Sequence, residues 1–169
     1  MNKKYLPALV SGFGAAVLTT IPGVQSFSCC LLVPIASGVS IALYKKSNHE
    51  LIRKIETGTG LMLGFLTALF AAFFASSFDI IITFITRASD LSVSLPQAEQ
   101  LIREMNLGSA AEESINLIKQ MIADIQTTGF SFLYSILITL TNLISYSIFG
   151  LLGGLVATAI INKRNINSN

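Results

Sequence analysis

Residues 57–78 read TGTGLMLGFLTALFAAFFASSF and carry no formal charge. An α-helix rises about 1.5 Å per residue, so about 20 apolar residues cross a bilayer core of about 30 Å. Past Asp79 the apolar pattern resumes as far as Ile85, which predicts one helix over residues 58–85. A soluble core helix does not need that length. Backbone amides facing lipid must be paired within their own segment, so a charge-free span has to be helical. This stretch therefore places the chain in a membrane and sets an all-α fold.

Three further apolar spans lie around it, at about 6–21, 28–44 and 129–161, so the expected fold is a four-transmembrane-helix bundle in a single integral membrane domain of residues 1–169. Composition agrees. Apolar residues make up 52% of the chain and charged ones 12%, against about 25% charged in soluble proteins. A net charge of +2 is too small to suggest nucleic acid. The first two spans are short, which snorkelling lysines or little tilt would accommodate. Span one preceded by Lys3 and Lys4 also has the outline of a signal peptide. Residues 19–26 offer no good small-residue cleavage site, however, so an uncleaved span is expected.

The basic residues set the orientation. Lys3, Lys4, Lys45, Lys46, Arg53, Lys54, Lys163 and Arg164 flank the spans on one side. Arg87, Arg103 and Lys119 share the long segment between spans three and four with Asp90, Glu99, Glu104, Glu112, Glu113 and Asp124. The positive-inside rule then puts both termini in the cytoplasm and the acidic segment outside, in a multi-pass protein of the cell (inner) membrane.

That outer segment, about 94–127, has helical periodicity. Leu101, Ile102 and Met105 share a face, and Ile115, Ile118, Ile122 and Ile125 form a second stripe at spacings of three and four. Ser94 with Gln97, and Ser109 with Glu112, resemble capping boxes. Pro96 suits a first turn, and Gly108 suits the end of the first helix. An extracytoplasmic amphipathic helical hairpin follows. The acidic residues argue against anionic lipid as the cover of the isoleucine stripe, so it is expected to pack on the outer ends of spans three and four or on a second copy. Span four is too long for a bilayer, so either its first third, up to Asn142, projects outside as a continuation of the second amphipathic helix, with a bend at Gly129, or the helix breaks near Asn142. Pro34 should kink span two.

Small residues recur at the cytoplasmic ends. Gly60 with Gly64, and Gly150 with Gly154, each place two glycines on one helix face, where backbones can approach. Each half of the chain opens with basic residues and Gly-x-Gly and closes with a small pair and basic residues. Pro22-Gly23 turns the first hairpin. The pattern outlines a parallel repeat of two helical hairpins, beside the plainer reading that membrane helices are rich in glycine.

Few residues suggest chemistry. Asp79 lies within a span, about 31 Å along the helix from Gly58 and so near the outer interface, with Asn142 of span four at comparable depth. Cys29 and Cys30 are adjacent, a poor geometry for a mutual disulfide and no zinc spacing, and are expected to pack as small apolar residues. His49 stands in the basic loop without an acidic or thiol partner in the sequence. Lys45, Lys46, Arg53 and Lys54 suit anionic headgroups, although topology already accounts for them. No nucleotide loop, zinc-protease or Ser-His-Asp pattern is present, so neither enzymatic activity nor a cofactor or metal is expected.

The small residues at 11–15, then Pro22, Cys29-Cys30, Ser37-Gly38 and Tyr44-Lys45-Lys46 resemble a group of small prokaryotic four-span membrane proteins. The resemblance covers about the first 65 residues. It implies a bacterial multispan protein and no activity. Two functions fit the sequence. One is a structural or accessory membrane protein that forms a homo-oligomer or docks on a membrane-protein partner. The alternative is a small transporter or channel subunit using Asp79.

Overall fold

The computed structural model describes residues 5–21, 23–24, 27–47, 54–105 and 109–166. Among these residues every regular element is helical. In chain order they are α1 (Tyr5–Thr19), a π-helical turn (Ser28–Leu32) that runs into α2 (Val33–Ser47), α3 (Thr57–Thr86), α4 (Asp90–Met105), α5 (Ser109–Thr128) and α6 (Phe132–Ile166). Two are long and apolar enough to cross a membrane, α3 with 30 residues and the Phe132–Arg164 part of α6 with 33. Apolar α1 is shorter, at 15 residues. The chain divides into two compact units, Asp79–Ile138 and the remainder.

The first unit is built from α1, α2, α3 as far as Phe78 and α6 from Thr139. Its core is made of small side chains. Ala15, Ala16, Ala36, Ala68, Ala71, Ala72 and Ala75 cluster with Val33 and Tyr146, and Phe74, Phe78 and Phe149 pack against them. Phe13 of α1 meets Phe74 edge-on, with ring centroids 5.2 Å apart. Pro34 lies where a π turn passes directly into α2. It is the second residue of α2, where a missing N–H is harmless, and the irregularity falls just before it as the wider π turn. A proline ring crowds the carbonyl four residues back, and a π turn relaxes that contact.

The second unit holds the end of α3, then α4, α5 and the start of α6. Two corners of the same design close it. α3 ends with Thr86 Oγ1 donating to the Ile82 carbonyl at 2.8 Å, and with Arg87 in the left-handed region at φ 52°. α5 ends with Thr128 Oγ1 donating to the Asp124 carbonyl at 2.8 Å, and with Gly129 at φ 81°. In both, the left-handed residue's N–H reaches back four residues at 2.8 Å, Arg87 to Thr83 and Gly129 to Ile125. A buried serine, Ser89 or Ser131, then precedes the next helix. The bend at Gly129 is therefore present, and α6 runs unbroken through Asn142.

α4 departs from the sequence reading at its start. It begins at Asp90 behind Ser89, so Ser94 and Pro96 lie inside it and not at its cap. The preceding corner fixes where the chain can turn, and Ser89 takes the capping place, with its hydroxyl 3.5 Å from that of Ser92. α5 does begin at Ser109 with Glu112 in its first turn, while Gly108 lies outside the described residues.

Candidate functional site

The glycines singled out by spacing meet one another. A Cβ added to Gly64 would collide with the Gly150 carbonyl oxygen and stand 2.9 Å from the Gly154 Cα. One added to Gly150 would stand 2.7 Å from the Gly64 carbonyl oxygen, and one on Gly154 would lie 2.5 Å from that of Gly60. The two Gly-x-x-x-Gly faces of α3 and α6 are thus opposite sides of one backbone contact inside the first unit. The seam extends further. Gly153 lies against Pro34 of α2, and Gly12 of α1 lies against the Thr67 carbonyl of α3. Gly14 and Gly58 face open space, so the two Gly-x-Gly segments pack in different registers, Gly12 in one and Gly60 in the other.

Hydroxyls in this seam mostly bond within their own helix. Ser37 donates to the Val33 carbonyl at 2.9 Å, Thr67 to Leu63 at 2.8 Å and Thr158 to Gly154 at 2.7 Å. Ser11 and Ser40 are buried with no partner for their Oγ atoms among the described residues. Asn142 is half-buried, and its amide donates to Ser76 Oγ at 3.1 Å, tying α6 to α3. Ser76 stands one helical turn before Asp79. Asp79 itself is half-buried and belongs to the second unit. Sequence reading named Asn142 but missed Ser76, because a serine in a small-residue stretch looks like any other packing residue.

In the second unit Ile125 is fully buried, and Ile115 and Ile122 are 8% and 9% exposed. Ile118 packs on the cluster of Met121, Ile125 and Tyr134, which Leu91 and Ile138 also join. Ile118 and Ile125 are therefore covered by Leu91 of α4 and by Tyr134 and Ile138 at the start of α6. Lys119 of α5 pairs with Glu99 of α4 at 2.7 Å across the same hairpin. Leu101 stays largely exposed and Ile102 is half-buried; the Met105 side chain lies outside the described residues.

Cys30 is exposed in the π turn and is not in a disulfide. The Cys29 side chain, Pro22, His49, Arg53, Lys3 and Lys4 lie outside the described residues. A contact that no motif announced is the pair of hydrogen bonds between Asn162 and Ile55. The Asn162 amide donates to the Ile55 carbonyl at 2.8 Å, and its Oδ1 accepts the Ile55 N–H at 3.0 Å. Comparison with family models, curated proteins and solved structures gave no match.

Proposed function

We propose that the chain is an integral membrane protein of four spans, both termini cytoplasmic, acting as a structural or accessory subunit that docks on a second copy or on a partner membrane protein. One observation carries the membrane reading. In the first unit size is inverted. The buried residues are mostly Ala, Gly, Ser and Thr, while Leu9, Val10, Phe13, Phe73, Ile148 and Leu152 are exposed. Water would drive the large apolar side chains inward; lipid imposes no such preference and rewards close backbone packing.

Length supports docking. α3 spans about 45 Å, and the apolar part of α6 is about as long. Fitting 45 Å of helix into a core of about 30 Å would need a tilt near 48°, beyond the usual range of about 0–40°. The excess carries large exposed side chains, including Ile81, Ile85, Phe132 and Ile136. The isoleucine stripe is covered by its own unit, so these residues are the better docking surface. The transport alternative draws on Asp79 and on the Ser11 and Ser40 hydroxyls, which have no partner among the described residues. Self-bonded hydroxyls and a tight glycine seam favour packing over a route.

The test is the particle mass of the full chain in mild detergent, compared with Ile85→Ser combined with Phe132→Ser. The docking reading expects an oligomer, or a co-purifying membrane protein, that the double variant loses. An unchanged mass in the variant contradicts it. Solute flux in proteoliposomes that Asp79→Asn abolishes would establish the transport reading instead.

A further inference from the structure

Positive charge gathers at one end of the first unit. Tyr44 of α2, Ile55 just before α3 and Ile161 of α6 share one apolar cluster with Ile41, Leu63 and Ala157. The two Asn162–Ile55 hydrogen bonds fasten two of these segments. The residues that flank the cluster are basic: Lys45 and Lys46 follow Tyr44, Lys54 precedes Ile55, and Lys163 and Arg164 follow Asn162. Lys46, Lys54, Lys163 and Arg164 are exposed.

Glu56 and the C-termini of α2 and α6 offset part of this charge, each helix end contributing about half a negative charge. Five cations exceed that amount. Topology requires basic residues on this side, but it does not require three segments of the chain to converge, nor a side chain of α6 that fastens the segment just before α3. Next to the cations, the same helices turn apolar and outward at Leu43 and Ile160. The matching ligand has a phosphate joined to a hydrocarbon chain.

We propose that this end of the first unit binds the headgroup of an anionic phospholipid. Lys46, Lys54 and Lys163 hold the phosphate, Asn162 ties the segment that carries Lys54 to the helix that carries Lys163, and Leu43 and Ile160 line the acyl chains. The assignment rests on the membrane reading above, and the experiment separates the two. The full chain is reconstituted into nanodiscs, and its bound lipid is measured by native mass spectrometry from equal amounts of phosphatidylglycerol and phosphatidylcholine. The expected result is retention of phosphatidylglycerol by about tenfold or more, since each basic residue near the surface contributes severalfold. Lys46→Gln with Lys54→Gln and Lys163→Gln should bring the ratio near parity. Asn162→Ala should lower it without altering charge, and Lys119→Gln in the second unit should leave it unchanged. Equal retention of the two lipids by the wild type, or a preference that survives the triple variant or Asn162→Ala, overturns the site. Displacement by soluble glycerol 1-phosphate at equal concentration overturns the lipid assignment in favour of a free phosphate ester. A chain that does not enter nanodiscs overturns the membrane reading as well, whereas entry without selectivity overturns the headgroup site and leaves that reading standing.

Discussion

Gly64 and Gly14 are chemically identical and differ in what lies opposite. Gly64 touches the backbone of α6, and Gly14 faces open space. A methyl group at Gly64 or Gly150 must push two helix backbones apart, and overpacking of that kind costs about 1–3 kcal/mol. At Gly14 alanine adds helix propensity of up to about 1 kcal/mol and meets nothing. Thermal unfolding in detergent should therefore rank Gly64→Ala and Gly150→Ala below the wild type and Gly14→Ala at or above it. Equal melting of all three variants would mean that the helices are not in backbone contact. Spacing in the sequence showed that Gly60 and Gly64, and Gly150 and Gly154, share a helix face. It did not show that those faces meet, because periodicity fixes a face and leaves its partner open. Ser76 and Asn162 were obscure for a related reason: a polar side chain's partner more than 60 residues away leaves no local trace.

The helices were legible wherever charge-free length dictated them, and their ends were less so. Ser94 and Pro96 looked like a helix start, yet α4 begins at Asp90, because the corner after α3 already supplies Ser89. The signal was present as Thr86–Ser89 and Thr128–Ser131, two segments with threonine and serine three apart. The left-handed residue between them is hidden in the first case, since arginine does not announce a positive φ. A non-glycine residue there carries strain of about 1–2 kcal/mol, which glycine relieves. Arg87→Gly should accordingly raise stability to chemical denaturation. Gly129→Ala should lower it by more than this, since its Cβ would meet both the unfavourable φ and the Phe84 carbonyl oxygen at 2.8 Å. A destabilising Arg87→Gly would show that the arginine side chain, and not the backbone, closes that corner.

Across the molecule, the first unit is small inside and large outside, and the sequence pointed to this through hydropathy without distinguishing the two faces of each helix. Helices apolar on all sides have weak amphipathicity, so the outward side of each had to come from packing. Helix α5 follows the opposite rule, with Ile115, Ile122 and Ile125 inward and Glu112, Glu113 and Asp124 outward, and there the period was readable. The membrane proposal requires the first unit's outer surface to meet hydrocarbon. Spin labels at Phe73 and Leu152, in a chain with Cys29 and Cys30 replaced by alanine and reconstituted in liposomes, test this most directly, with Glu104 as the aqueous reference. The prediction is ready relaxation by oxygen and poor relaxation by a water-soluble nickel chelate at Phe73 and Leu152, and the reverse at Glu104. Relaxation by the nickel chelate at Phe73 and Leu152 as strong as at Glu104 would contradict it.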